Sequence, residues 1–344
     1  MVKNIIEEIK KGLVGDPAKD IQYLQEQGVK YKDHAQAGEI LKALSELSFS
    51  LLPEENRRKI KEDLFIDDKR VDQVFAEANE KVKAKDIDGA LEILAKIEAH
   101  ADKVFPTEKN CFFSFRNRLE EYMYSHFYKP EEKYGRTPFD FCQFLSAYGY
   151  LLIEKHQPQD AVAKLEKAIK YNPVNSEPRF ELAEAYKLLH EPENLFECIK
   201  ETVKIAISPY HISRCYANLG YYCIEIKDYD SAVAFYYESL MFAKNPAVQG
   251  ELQHIRAITG KQIVPPTRDE VLAVFEKYGI KNGPDQDIVN IAFSLGNYCI
   301  EHNAPPQESL FYMQIAYDLS RSEKVLEIID RLKAQIAAQN AKVK

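Results

Sequence analysis

This sequence lacks several features that would directly assign a protein to a class. It has no tryptophan, no CxxC pair among its six cysteines, and no run approaching the roughly 20 apolar residues that span a bilayer. The first fourteen residues place lysines and glutamates within their apolar pattern, unlike a signal peptide. We therefore expect a cytoplasmic protein with reduced, structural thiols and no membrane partner.

An excess of basic charge is also missing. There are 46 lysines and arginines against 54 aspartates and glutamates, which gives a net charge of −8. A general nucleic-acid binder needs a basic stripe to displace phosphate counterions, so we expect no direct nucleic-acid binding.

The motifs of common catalytic and metal sites are missing as well. Gly260-Lys261 lacks the rest of a P-loop, and the eight histidines show neither an i, i+4 pair nor a Cys–His cluster with zinc spacing. We expect no metal, no cofactor and no catalytic activity. A Ser–His–Asp triad stays open, because its members assemble from distant positions.

Helical periodicity dominates the sequence and predicts an all-α protein. Besides the repeats described next, we expect a helix over 2–13, helix pairs over 18–52, 69–104 and 248–280, and an aromatic-rich helix at about 109–126. Asp16-Pro17 has the form of an N-cap followed by a first-turn proline. A last amphipathic helix over 323–338 is expected to cover the end of the array.

A repeated pattern of small and large residues gives the most information. Ala161, Leu165 and Ala168 recur as Leu195, Ile199 and Thr202, and again as Ala232, Tyr236 and Ser239, at offsets of 34 and 37 residues. Each set follows a helix that carries a small residue in one register: Gly149, Ala183 and Gly220, with Gly296 in a later unit. A glycine inside a helix costs up to about 1 kcal/mol, so this register predicts close helix packing.

These residues resemble the tetratricopeptide-repeat (TPR) family, over about 142–246 and 289–322 and more weakly elsewhere. The resemblance implies a right-handed superhelical solenoid of antiparallel helix pairs, closed by a C-terminal capping helix. Its first helices would line a concave groove that binds a peptide or a helix of another protein. Ser146 and Tyr150 stand where the family's chaperone-tail binders carry clamp residues, so a carboxylate clamp is not expected.

The chain is expected to have two parts. Residues 1–127 form an N-terminal helical half with degenerate pairs, residues 128–138 form a linker loop with two prolines, and residues 139–344 form the regular array with its capping helix.

Fitting the motif register gives residues expected to face the groove. Asn218 would bond a peptide backbone through both its amide donor and its acceptor, Arg214 would pair with a carboxylate, and the aromatic residues would act as anchors. The set comprises Tyr150, Phe180, Glu184, Lys187, Arg214, Asn218, Tyr221, Phe293 and Asn297.

The leading hypothesis is a non-catalytic scaffold that binds another protein or a peptide in the groove. The alternative is a signalling regulator that senses a short peptide and acts on a partner effector. A third possibility, an enzyme on a helical scaffold, predicts a deep pocket with clustered titratable groups.

Overall fold

The computed structural model describes residues 2–32, 34–108 and 111–343, and nearly all of its regular structure is helical. The chain divides into two units, residues 1–74 and 75–344, and the division falls within one helix, α5 (Val71–Lys83). The predicted all-α class is confirmed. None of the described helices combines the length and the apolar character needed to cross a membrane.

The first unit contains four helices and one short hairpin. Its elements are α1 (Val2–Lys10), α2 (Pro17–Tyr31), α3 (Ala37–Leu51), α4 (Glu54–Leu64), β1 (Phe65–Ile66) and β2 (Lys69–Arg70). Asp16 caps α2 by accepting from the backbone N–H groups of Ala18 and Lys19, as the sequence predicts. Helices α2 and α3 pack as the expected pair around Leu24, Ile40 and Leu44.

The second unit contains the repeats. Its elements after α5 are α6 (Ile87–Val104), β3 (Phe112–Phe113), α7 (Arg118–Tyr128), β4 (Gly135–Arg136), α8 (Phe141–Glu154), α9 (Pro158–Tyr171), α10 (Glu177–Leu188), α11 (Pro192–Val203), α12 (Pro209–Glu225), α13 (Tyr229–Phe242), α14 (Pro246–Thr259), α15 (Arg268–Tyr278), α16 (Gln286–Glu301), α17 (Pro306–Ser320) and α18 (Glu323–Val343).

Four helix pairs repeat one geometry: α8 with α9, α10 with α11, α12 with α13, and α16 with α17. The helices of each pair are joined by three or four residues, and one residue of each turn has left-handed backbone: His156, His190, Lys227 and Asn303. Such tight turns make the two helices of a pair run antiparallel. The architecture is that of a TPR-like helical repeat, an all-α solenoid.

The small residues of the repeat have the predicted packing role. A Cβ at Gly149 would overlap the side chain of Leu165, and a Cβ at Gly220 would lie 2.8 Å from Cε1 of the Tyr236 ring. The matching contact in the last pair is between Gly296 and Met313. In three of the four pairs, the first helix therefore carries no side chain where a large residue of the second helix crosses it.

Helix α18 packs on α17 and buries Val325, Ile329 and Leu332. Its remaining described side chains are exposed or half-buried. The prediction of a terminal helix that covers the last apolar face of the array is confirmed.

The predicted helix over 109–126 is wrong in its first half. Phe112–Phe113 instead pairs in parallel with Gly135–Arg136, and α7 begins only after Asn117, whose side chain caps it. The extended stretch is held by its neighbours: the Ser114 backbone N–H donates to the Tyr171 carbonyl at 2.8 Å.

The expected linker over 128–138 lies inside the second unit. Buried polar groups connect residues that precede this segment with a residue that follows it. Asn172 Nδ2 donates to Glu120 Oε2 at 2.8 Å and to the Ser114 carbonyl at 3.2 Å. Glu120 also accepts from the Arg116 guanidinium and backbone N–H. The sequence around 128–138 therefore forms a turn within a packed body.

The predicted pair over 248–280 is also different in the structure. Helices α14 and α15 both pack on α13, and residues 260–267 connect them without regular structure. The predicted capping box at the start of α15 is confirmed, since Thr267 and Glu270 bond each other's backbone N–H groups.

Candidate protein-interaction site

Five of the predicted groove residues come together at one cavity of about 290 Å³, which we call the α12 cavity. They are Glu184, Lys187, Arg214, Asn218 and Tyr221. The first two lie on α10 and the other three on α12, so the stacking of first helices that the repeat predicts brings them together. Tyr236 of α13 and Glu251 of α14 also line the cavity.

The two basic side chains of this lining are already engaged within the protein. Lys187 Nζ lies 2.8 Å from Glu184 Oε1 and 5.0 Å from the centre of the Tyr221 ring. A paired cation is less available to an outside carboxylate.

Arg214 is engaged in the same way. Its guanidinium lies 4.4 Å from the centre of the Phe180 ring and 3.4 Å from Glu181 Oε1. Burial raises the pKa of Glu181, and the nearby guanidinium of Arg214 opposes that rise. The predicted role of Arg214 as a partner for a ligand carboxylate is therefore taken by a residue of the neighbouring helix.

Asn218 is 4% exposed, and part of its hydrogen-bonding capacity is used within its own helix. One of its two Nδ2 hydrogens is donated to the Arg214 carbonyl at 2.9 Å. Its Oδ1 is buried and accepts from no described residue. The Oδ1 of Asn218 is thus an unpaired acceptor.

Tyr236 brings a second unpaired polar atom to the cavity. Its ring fits over Gly220, the residue is 1% exposed, and its hydroxyl has no hydrogen-bond partner among the described residues. Burial, with a further contribution from the Glu251 carboxylate, raises the pKa of Tyr236, so the hydroxyl keeps its proton. The sequence pattern predicts that Tyr236 is a core residue. Nothing in that pattern predicts a role for its hydroxyl.

Acidic groups surround the mouth of the cavity. Burial raises the pKa of Tyr221, and Glu225, Glu251 and Glu184 raise it further. Glu251 forms no ion pair with a described basic residue, whereas Glu184 is paired with Lys187. The uncompensated charge beside the two unpaired polar atoms is therefore negative.

The remaining predicted groove residues lie outside this lining. Phe180 is a correction: it is fully buried beneath Arg214 and cannot anchor a ligand. Tyr150 is 46% exposed on α8, and Phe293 is half-buried against the core. Asn297 is half-buried on α16.

A Ser–His–Glu constellation, which sequence reasoning missed, lies near the α12 cavity. Ser176 Oγ is 3.0 Å from His211 Nδ1, and Glu177 Oε1 is 3.2 Å from His211 Nε2. The hydrogen bond from His211 lowers the pKa of Glu177 although burial opposes it. Ser176 is 2% exposed and directly precedes α10.

A second cleft, of about 410 Å³, lies between α7 and α16. His126 Nε2 and Asp287 Oδ2 join the two helices at 3.0 Å, and the exposed rings of Tyr122 and Tyr298 line the cleft. Arg118 lies 5.8 Å from the centre of the Tyr298 ring. No sequence signal pointed to this cleft, because its two helices are distant in the chain.

Comparison with solved structures gives distant alignments. No protein-family model matches this sequence, and no curated protein matches it. A solved structure described as "Crystal structure of APC/C hetero-tetramer Cut9-Hcn1" aligns with 10% identity and a TM-score of 0.38, over 95% of this chain and 58% of that chain. This chain thus spans a little over half of that chain's length, and a match this distant assigns neither a family nor a function.

Proposed function

We propose that this protein is a non-catalytic scaffold that binds another protein or a peptide through the surface formed by α10, α12 and α14. The observation that carries the proposal is that two residues lining one cavity, Asn218 and Tyr236, each hold a buried polar atom, Oδ1 and Oη, without a partner among the described residues. An unpaired buried polar group costs about 1–3 kcal/mol, and a ligand that pairs it recovers that cost.

The surrounding packing supports a binding role for this surface. The lining comes from four helices, α10, α12, α13 and α14, so the site is held by rigid elements. Rigid concave surfaces of this kind are what helical solenoids present to extended ligands. We place the protein in the cytoplasm as part of the same proposal, with a protein or peptide as its partner.

The test uses the full-length protein and a random-peptide display library. Peptides enriched on the wild-type protein are synthesised with a fluorophore, and their affinities are measured by anisotropy. Loss of one hydrogen bond to an uncharged group is expected to weaken binding about threefold to tenfold in Asn218→Ala.

The matched control is Asn297→Ala, which removes a predicted groove amide outside the cavity lining and is expected to leave affinity unchanged. Circular dichroism and thermal melts confirm that both variants fold. Failure of the library to enrich any peptide would contradict peptide binding. Equal affinity for wild type and Asn218→Ala would contradict the location of the site.

A further inference from the structure

The α12 cavity carries unpaired acceptors and a carboxylate. Asn218 Oδ1 is an unpaired acceptor, and its amide nitrogen donates one of its two hydrogens to the Arg214 carbonyl. Asn245 also lines the cavity, and its Oδ1 accepts from the backbone N–H of Ala247. The Tyr236 hydroxyl has both of its hydrogen-bonding roles open. Together with the Glu251 carboxylate, these groups suit a ligand that brings several N–H donors.

The balance of charge in the lining favours the same ligand. Lys187 forms an ion pair with Glu184, and Arg214 forms one with Glu181. Glu251 forms no ion pair with a described basic residue. The Glu225 carboxylate lies close enough to Tyr221 to raise the pKa of its hydroxyl. An arriving cation therefore meets carboxylate charge that the protein's own bases do not neutralise.

This combination occurs in only one of the helix pairs. Where Tyr236 crosses Gly220, the first pair has Leu165 over Gly149 and the last pair has Met313 over Gly296, both without a hydroxyl.

The same holds for the amide. Two positions before the small residue, where α12 has Asn218, the other first helices carry Ala147, Glu181 and Ser294. A group needed only for packing would recur in each pair, so the amide and the hydroxyl of this pair have a separate role.

We propose, on the basis of the function proposed above, that the α12 cavity takes the cationic side chain of a basic segment in the partner, either a lysine ammonium or an arginine guanidinium. The chain of the partner lies along α12, and its cation sits between Asn218, Tyr236 and Glu251. A lysine ammonium has three donors, and an arginine guanidinium has five in a fixed plane.

The first test uses two small probes, acetyl-Gly-Lys-Gly-amide and the same peptide with norleucine, at millimolar concentrations. The side-chain amide signal of Asn218 is assigned by its loss in Asn218→Ala and followed by NMR. We expect the lysine peptide to shift this signal and the norleucine peptide to leave it in place. An arginine peptide distinguishes the two cations.

The second test uses peptides enriched from the display library. We expect each to contain lysine or arginine, and replacement of that residue by norleucine to weaken binding tenfold or more, as loss of a hydrogen bond to a charged group predicts. Tyr236→Phe removes only the hydroxyl and keeps the ring over Gly220. It is expected to weaken binding at least threefold, as is Glu251→Gln, while Glu276→Gln, outside the lining, has no effect.

The outcomes separate this inference from the function on which it rests. Enriched peptides without basic residues, or equal shifts with lysine and norleucine probes, overturn the cationic ligand even if Asn218→Ala still weakens binding. A library that enriches nothing contradicts the scaffold function instead. Added salt is expected to weaken binding, and affinity independent of salt would also overturn the inference.

Discussion

The ring of Tyr236 occupies the space that a side chain at Gly220 would fill, and the same residue lines the α12 cavity. One contact thus joins the packing of a helix pair to the chemistry of a candidate site. The sizes of the two residues are needed for the fold, whereas the hydroxyl is not, because Leu165 and Met313 fill the same position elsewhere.

Gly220→Ala is expected to destabilise the protein by about 1–3 kcal/mol, because the added methyl group would lie 2.8 Å from a Tyr236 ring held on all sides. Gly149→Ala should behave in the same way against Leu165. Urea denaturation followed by circular dichroism measures the free energy of unfolding.

Two further glycines serve as controls for this prediction. Gly296→Ala should cost less, since the nearest atom is the flexible terminal methyl of Met313. Gly250 of α14 has no atom within 4 Å of a built Cβ, so Gly250→Ala should stabilise the protein by about 0.5–1 kcal/mol through helix propensity. Equal effects at all four positions would contradict the packing role of the repeat glycines.

Asp228 is expected to contribute stability that is lost in acid. Burial favours its neutral form, but hydrogen bonds from Lys277, Ser231 and Tyr278 outweigh burial and lower its pKa from 3.8 to about 2. Because the folded protein binds this proton less readily than the unfolded chain, the contribution is complete above about pH 4 and falls as the pH drops toward 2.

The check is the urea midpoint measured from neutral pH down to the acid range in wild type and Asp228→Asn. The variant should be less stable at neutral pH and should lose less stability on acidification. Asp230→Asn, at an exposed position two residues along, should keep the wild-type slope. Parallel curves for wild type and Asp228→Asn would contradict the prediction.

Glu98 of α6 is expected to stabilise the contact with α9. Its largely buried carboxylate accepts from Lys164 Nζ at 2.8 Å and from Lys167 Nζ at 3.0 Å. Burial opposes ionisation, yet these two lysines lower the pKa of Glu98 below its ordinary value. Glu98→Gln should cost about 1–3 kcal/mol in the free energy of unfolding, because the half-buried Lys164 ammonium loses its carboxylate partner and Lys167 keeps only Asp102.

Asp102 provides the comparison, since it also binds Lys167 but is about half exposed. Asp102→Asn should cost about 0–1 kcal/mol, as is usual for an exposed ion pair. Urea denaturation measures the free energy of unfolding of both variants. A larger loss of stability in Asp102→Asn than in Glu98→Gln would contradict the prediction.

The cysteines are expected to differ in their reactivity with a disulfide reagent. Burial raises the pKa of Cys198 to about 11 and that of Cys223 to about 12, and it also raises the pKa of Cys142 and Cys215. Because the thiolate is the reactive form, these residues should react slowly at neutral pH. Cys111 is only half-buried and should react first.

The measurement is the time course of thionitrobenzoate release in native protein. Cys111→Ser should remove the fast phase and leave the slow phase unchanged. A fast phase that persists in this variant would show that a buried thiol is open to reagent. Denaturant should make all thiols reactive in both proteins.

The helix pairs could be predicted from the sequence because their signal is local. A small residue on one helix and a large one on the next lie within about twenty positions of each other, and the same spacing recurs along the chain. The strand pair was not predictable, because β3 and β4 have two residues each and show no periodicity. Likewise α14 and α15 look like a pair in sequence, but each packs on α13.

The position of the predicted residues in the repeat explains why five of them line one cavity, and their role in binding stays a prediction. The register could not show that Asn218 donates to a carbonyl of its own helix, or that Arg214 covers Phe180 and pairs with Glu181. These depend on side-chain directions within a stack, which spacing alone does not specify.

The contact between α7 and α16 has a consequence for synthesis of the chain. His126 and Asp287 are 161 positions apart, so α7 leaves the ribosome roughly ten to thirty seconds before its partner. In a pure nearest-neighbour array each unit is finished as soon as the next one emerges. Here α7 is synthesised well before α16, so the contact between His126 and Asp287 can form only after α16 has left the ribosome.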